Sequence, residues 1–283
     1  MIMSDGFAAL ADGYDGFILD LWGVIHDGVQ PYPGAINCLQ RLRDAGKRCV
    51  LLSNAPRRSA VAEVMLRQMG IGADLYTGLL TSGEAAHLAL LSRADPWFAA
   101  LGDRAFHLGP QRDRNVLDGV DLTVVDSPAE ASFVMNTGPD DHRGHTDVDA
   151  FEDVLADCAR HGLPMVCANP DLEVIRGGVR VICAGALALR YEQMGGAVRS
   201  LGKPDPAIYE PVLAMLGTAR PATLAVGDSL RTDIAGAAAA KIASCWVLGG
   251  IHGEALGNDA GLAAAEAAAA GLAPVAMVPA FVW

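Results

Sequence analysis

FILDLWGVIHDG, Phe17 to Gly28, sets an apolar run of strand length against an acid, Asp20, with Gly23 in the short loop that follows. In open α/β sheets, binding sites form beyond the carboxyl ends of the strands. A carboxylate there can attack an electrophile, while the backbone N–H groups of the next loop cradle a phosphate. Taken alone, the same acid serves equally well as a loop cap. The stretch gains meaning from its recurrence along the chain.

Apolar runs matching Gly16–Leu21 recur at Cys49–Leu52, Ser132–Asn136, Met165–Ala168, Thr223–Val226 and Ser244–Leu248. Helix-like segments lie between them: Gly34–Ala45 closed by Gly46, Arg58–Met69 closed by Gly70, then Val148–Arg160, Ala186–Met194, Ala207–Leu216 and Thr232–Ala240. Strand–helix alternation predicts a parallel sheet with helices on both faces. Continuous apolar strands fit burial from both sides. The Ala-rich stretch Gly257–Gly271 reads as a helix rather than disorder.

Three further motifs follow the same grammar. In VLLSNAPRR (Val50–Arg58), Ser53 and Asn54 stand between a strand and a helix, where free N–H groups suit an anion; ordinary N-capping is the other reading. In LGKPDPAIYE (Leu201–Glu210), Lys203 is a cation just ahead of a Pro-marked helix start, or a solvated surface lysine. In AVGDSLRTDIAGA (Ala225–Ala237), Asp228 ends a strand and Asp233 follows five residues on. Acidic oxygens in that place are hard ligands suited to Mg²⁺, although Asp233 also fits the positive end of a helix dipole. Together these supply a nucleophile, phosphate donors, a cation and a metal site, the parts that phosphoryl transfer needs.

Composition narrows the classes. Of the 283 residues, 52% are hydrophobic and 19% charged, enough for a large packed core and unlike a disordered chain. The net charge of −12 argues against binding a nucleic-acid backbone through bulk charge. Six cysteines without a Cys-x-x-Cys pair read as buried thiols in a reducing compartment. The opening MIMSDGFAALADGYDGF is acidic and lacks the apolar run of a leader, and no stretch has the length of a membrane span, so a cytoplasmic location is expected. GPDDHRGHTD, with Asp140, Asp141, His142 and His145, reads as a solvated loop, because its spacing is not that of a zinc site.

The four motifs, in this order, resemble the haloacid dehalogenase superfamily. The long insert between the Ser-Asn and Lys motifs looks like a type-2 cap, near the NagD-like, nitrophenyl-phosphatase and pyridoxal-phosphate-phosphatase branch. PYPGA (Pro31–Ala35), TSGEA (Thr81–Ala85), ANPD (Ala168–Asp171) and CAGAL (Cys183–Leu187) carry the likeness further, so that it covers nearly the whole chain. It implies an α/β fold: a Rossmann-like, doubly wound parallel-sheet core from residues 1–79 and 196–283, with a smaller α/β cap at 80–195 and hinge candidates at Gly78 and Gly195–Gly196. It implies an aspartyl-phosphate on Asp20. Mg²⁺ would be held by Asp20, Asp228 and the carbonyl of Trp22, with Asp233 supporting its water shell. Ser53, Asn54 and Lys203 would bind the phosphoryl group beside Trp22 and Gly23, Lys203 also assisting catalysis, and Asp171 would face the site from the cap. The substrate would be a small phosphate monoester, such as a sugar phosphate or a nucleotide-like compound, and the chain would pair through its cap into a homodimer, with no nucleic-acid or membrane partner.

The chain departs from the family at one telling place. Most phosphatases of the superfamily carry a second aspartate two residues after the nucleophile, which protonates the leaving group and then activates water. Here that residue is Trp22, which does neither. Positioned acid–base groups are worth about 10²–10⁴ in rate. Three accounts stay open: a substitute such as His26 or Asp27, slow turnover of esters with good leaving groups, or a phospho-ligand-binding, regulatory protein of weak activity. Halide displacement is set aside, because GDSLRTD has the metal-binding form and ANPD belongs to capped phosphatases.

Overall fold

The computed structural model describes residues 2–4, 6–257 and 259–283. Residues 1, 5 and 258, within the opening stretch and Gly257–Gly271 read above, lie outside the described residues.

The strands, in chain order, are β1 (Ile2–Met3), β2 (Gly16–Leu19), β3 (Arg48–Ser53), β4 (Gly78–Thr81), β5 (Arg104–Leu108), β6 (Thr123–Val125), β7 (Phe133–Asn136), β8 (Met165–Cys167), β9 (Glu173–Arg176), β10 (Val179–Ile182), β11 (Val198–Ser200), β12 (Thr223–Gly227), β13 (Ala243–Val247) and β14 (Ala276–Val278). Seven form one sheet in the order β1-β14-β13-β12-β2-β3-β4, every pair of them parallel. Five form a second parallel sheet, β11-β8-β7-β5-β6. β9 and β10 make a separate antiparallel hairpin. This is an α/β fold, as the alternation requires.

Why the strands sit still is visible in their side chains. Strand residues alternate between faces, and here both faces are buried. In β2, Phe17 and Leu19 join one apolar cluster while Ile18 joins the opposite one. In β3, Cys49 and Leu51 face the first cluster and Val50 and Leu52 the second. The helix Ala35–Asp44 closes the first face with Ala35, Cys38, Leu39 and Leu42, a stripe at helical spacing. The second sheet repeats the scheme: Met165 and Cys167 of β8 point to one cluster, Val166 to the other.

The sheets draw the boundaries of the insert differently from the sequence. Leu80 and Thr81 belong to β4 of the larger sheet, and Val198–Ser200 is an edge strand of the smaller one. The helix Ser82–Ser92, absent from the periodic reading, starts the excursion with the Thr81 hydroxyl accepting from Glu84 N–H. Asp140 is also unlike the expected solvated loop. It is 8% exposed, accepts from the N–H groups of His142 and Arg143 at 3.0 and 2.9 Å, and pairs with the Arg143 guanidinium. All six cysteines are buried and free, and no helix among the described residues is long and apolar enough to cross a membrane.

Leu51 is fully buried in the larger core, whereas Leu189 is 45% exposed. Leu51→Ala should lower unfolding free energy by about 2–5 kcal/mol, and Leu189→Ala by about 0.5 kcal/mol or less. Urea denaturation checks this; equal midpoints for the two variants would contradict the packing.

Candidate active site

Four loops at the carboxyl ends of adjacent parallel strands converge. Asp20 follows β2 and keeps the ladder going one step, its N–H donating to Val226 O at 2.9 Å. Ser53 ends β3 and Asn54 follows it; Asp228 follows β12; Gly250 and Ile251 follow β13. Two further segments arrive from the smaller sheet: Asp171 after β8, and Lys203 after β11. They enclose a cavity of about 340 Å³, lined among others by Asp20, Trp22, Gly23, Ser53, Asn54, Asp171, Lys203, Asp228 and Asp233. The structure thus brings the candidate nucleophile, phosphate-binding, metal-binding and cap residues to one place.

At its floor sits one ammonium among carboxylates. Lys203 Nζ donates to Asp20 Oδ1 at 2.5 Å, to Asp233 Oδ1 at 2.7 Å and to Leu52 O at 3.0 Å. Carboxylate oxygens of Asp20, Asp228 and Asp233 lie within 4.8 Å of one another. All four side chains are buried. Burial raises the Asp20 carboxyl to about 8; Lys203 pulls against that shift and Asp233 adds to it. Burial likewise raises Asp228 well above its ordinary value, helped by Asp20 and Asp233. For Lys203, burial works downward but the carboxylates of Asp20, Asp233 and Asp171 outweigh it, holding the ammonium protonated. Three carboxylates against one ammonium leave an excess of two negative charges when all are ionised. A divalent cation would neutralise that excess, and oxygen ligands suit Mg²⁺. The residues therefore fit the group. The Trp22 carbonyl accepts no backbone hydrogen bond among the described residues, so it is free to act as a neutral ligand.

The phosphate side of the site is held by an amide whose orientation is fixed. Asn54 Oδ1 accepts from Lys203 N–H at 2.9 Å and from Ser82 Oγ at 3.0 Å. Its Nδ2 donates to Lys203 O at 3.1 Å and to Asp171 Oδ1 at 2.9 Å. A backbone N–H cannot accept, so the amide has only this orientation. Gly23 is required as glycine: its φ is +79°, and a Cβ there would lie 1.8 Å from Asp228 Oδ2. Ile251 N–H holds the same oxygen at 2.7 Å, and Trp246 Nε1 donates to Asp228 O at 2.8 Å.

The suggested stand-ins for the missing acid do not reach the cavity. His26 is 4% exposed, its Nδ1 accepts from Gly28 N–H at 3.0 Å, and its ring meets Trp22 edge-on at 5.3 Å. Burial lowers it to about 4, so it is neutral at physiological pH. Asp27 organises its own loop, accepting from Val29 and Gln30 N–H at 2.9 and 2.8 Å. Asp171 does line the cavity, and burial raises its carboxyl against the opposing pull of Lys203 and Asn54.

Several lining residues were not legible in the sequence. Tyr32, Arg180, Arg231 and His252 all border the cavity. Arg231 donates to the Pro170 carbonyl, and Arg180 pairs with Glu173. The hairpin that carries Glu173 and Arg180 had an available signal: IRGGVRV places Gly177–Gly178, both at positive φ, between alternating residues.

The chain matches a family model described as haloacid dehalogenase-like hydrolase over residues 17–123, and a related HAD-hydrolase-like model over 200–273. It is similar to D-glycerol 3-phosphate phosphatase of Mycobacterium tuberculosis, at 31% identity over 246 residues, covering 86% of this chain and 65% of that protein. It is also similar to ribonucleotide monophosphatase NagD of Escherichia coli, at 27% identity over 239 residues, covering 83% and 87% of the two chains. Among solved structures, a haloacid dehalogenase-like hydrolase of Brucella suis superimposes with a TM-score of 0.84 at 31% identity, covering 99% of this chain and 100% of that one.

The raised carboxyls set a pH dependence. A carboxyl with a raised folded value keeps a proton that the unfolded chain has released, so it lowers stability as pH rises towards the folded value. Buried neutral His26 and His107, both near 4 when folded, act with the opposite sign, but only below the ordinary histidine value of 6.5. Between pH 6.5 and 8, the raised carboxyls of Asp20 and Asp228 therefore set the sign. Without divalent cation, the melting temperature should fall across that window, and Mg²⁺ should flatten the slope. A rise or a flat line in chelator, measured by scanning calorimetry, would contradict the buried cluster.

Proposed function

Because this chain belongs to the haloacid dehalogenase-like hydrolase family, in its NagD-like branch, we propose that it hydrolyses small phosphate monoesters through an aspartyl-phosphate on Asp20. The observation that carries this reading is the buried cluster of Asp20, Asp228 and Asp233 around Lys203 at the floor of the cavity. Curated relatives named as phosphatases of glycerol phosphate and ribonucleotides point the same way.

In this account the phosphoryl group enters between Asp20 and the Ser53–Asn54 loop. Mg²⁺, held by Asp20, Asp228 and the Trp22 carbonyl with Asp233 behind its water, would offset charge on the phosphoryl oxygens. Lys203 fixes the Asp20 carboxylate and pulls against the burial that raises it. An Asp20 oxygen bonds to phosphorus as the bond from phosphorus to the alcohol oxygen breaks. The departing oxygen takes a proton from Asp171. Water then gives a proton back to Asp171 while its oxygen attacks phosphorus, releasing inorganic phosphate and the Asp20 carboxylate.

Asp171 receives this role by position. Among the described residues it is the cavity carboxyl that stands outside the acidic trio and makes no salt bridge to an arginine, since Glu173 pairs with Arg180. Its Oδ1 is held by Asn54, leaving the other oxygen for the proton. Residues from Ser82 to Ser200, which carry Asp171, act as the cap. A titratable group inside the cavity favours turnover over ligand binding alone.

Hydrolysis of p-nitrophenyl phosphate and of n-propyl phosphate with Mg²⁺ tests this. Wild type should turn over both, and Asp20→Asn neither. Asp171→Asn should lose about 10²–10⁴ in rate on the propyl ester. On the nitrophenyl ester, whose leaving group needs little protonation, it should show a burst followed by slow turnover. Undiminished activity of Asp20→Asn would overturn the nucleophile assignment.

A further inference from the structure

A second cavity, of about 130 Å³, adjoins the first; Trp22, Asp171 and Val174 line both. Its wall carries three guanidinium groups, Arg57, Arg112 and Arg176. Against them the same wall sets two carboxyls, Asp113 and Asp171. Asp113 is buried and lies 3.2 Å from Arg57 Nε and 3.9 Å from Arg112 Nε. Neither Arg57 Nε nor Asp113 Oδ1, both sealed from solvent, makes a hydrogen bond. Asp141, 3.6 Å from Arg112, is exposed and lies outside the cavity wall. His145 also lines the space and lies 3.5 Å from Asp141.

Like charges gathered beside a low-dielectric wall repel unless an anion joins them. The repulsion is felt: burial depresses the Arg57 guanidinium, Asp113 works against that, and Arg112 and Arg176 push it lower still. Planar guanidinium groups match carboxylate and phosphate geometry. Nothing in the phosphoryl-transfer steps uses these arginines. They line a cavity that shares Trp22, Asp171 and Val174 with the one holding the acidic trio, so an ester seated on Asp20 has a neighbouring space for its alcohol part.

We propose that the substrate's alcohol part carries a second anionic group, a carboxylate or a second phosphate, which Arg57, Arg112 and Arg176 bind in the second cavity. This rests on the phosphatase reading above and deepens it. Trp22 then has a positive role: its ring forms the shared wall past which the ester chain runs, in the place where relatives keep an acid.

The experiment compares three esters of one chain length: n-propyl phosphate, 3-(phosphonooxy)propanoate and propane-1,3-diol bisphosphate. Wild type should prefer one or both anionic esters over the propyl ester by at least about tenfold in kcat/KM, as charge-assisted contacts allow; which one wins distinguishes carboxylate from phosphate. In Arg112→Gln/Arg176→Gln that ratio should fall about tenfold or more, chiefly through KM. Arg112 and Arg176 are both exposed, so folding should survive; Arg220→Gln, a surface pair with Glu210, is the control and should keep the wild-type ratio. Equal use of all three esters by wild type, or an unchanged ratio in the double variant, would overturn the subsite. If p-nitrophenyl phosphate and all three esters are inert, the phosphatase reading fails. Titration calorimetry of 3-(phosphonooxy)propanoate then decides the subsite alone: about tenfold weaker binding to the double variant supports it, and equal binding overturns it.

Discussion

One buried ammonium holds the site together. Lys203 meets Asp20, Asp233 and the Leu52 carbonyl, while its own N–H and C=O are taken by the two ends of the Asn54 amide. Burying charges costs several kcal/mol each unless they are paired and hydrogen-bonded. The cluster meets that condition for the ammonium but not for the carboxylates, which keep an excess of negative charge. That imbalance is the physical reason a divalent cation would suit the site. It is also the reason Asp20 resists ionisation until something positive arrives. Because Lys203 lies in the segment that returns from the smaller sheet, the same contact ties that sheet to the larger one.

The second constraint is Trp22. Its ring cannot move a proton; the acid–base role proposed for Asp171 falls to a residue bonded to the same Asn54 that braces Lys203. Asp171 directly, and Asp20 through Lys203, are thereby tied to one amide. Trp22 also lines two cavities, one with the acidic trio and one with three guanidinium groups in its wall. A polar chain whose phosphate sits on one side and whose far end is anionic complements both.

Much of this was legible because strands and sites punctuate each other. Asp20, Ser53, Asn54 and Asp228 each stand where an apolar run stops, and parallel strands place all such stops on one edge of the sheet. Continuous runs such as Val50–Leu52 are buried on both faces, so their length alone marked them. β5, β6, β11 and β14 were not legible: they are short, or are diluted by arginine, histidine and threonine, and their identity comes from neighbours rather than from pattern. The β9–β10 hairpin was legible in principle from its glycine pair. Arg57, Arg112 and Arg176 were not, because an arginine in sequence reads as solvated surface. They lie 55 or more residues apart in the chain, from 57 to 112 to 176, and only the fold sets them around Asp113. The second edge of the insert was misplaced for a related reason: Gly195–Gly196 looked like a boundary, but β11 follows it and pairs with β8.

The central claim is that Asp20 becomes phosphorylated. Mass spectrometry of acid-quenched enzyme, caught during turnover of p-nitrophenyl phosphate with Mg²⁺, tests it directly. The account predicts an alkali-labile phosphoryl adduct confined to the peptide that carries Asp20. An adduct on any other residue, or turnover with no adduct at all in enzyme and in the slow-turning Asp171→Asn variant, would contradict it.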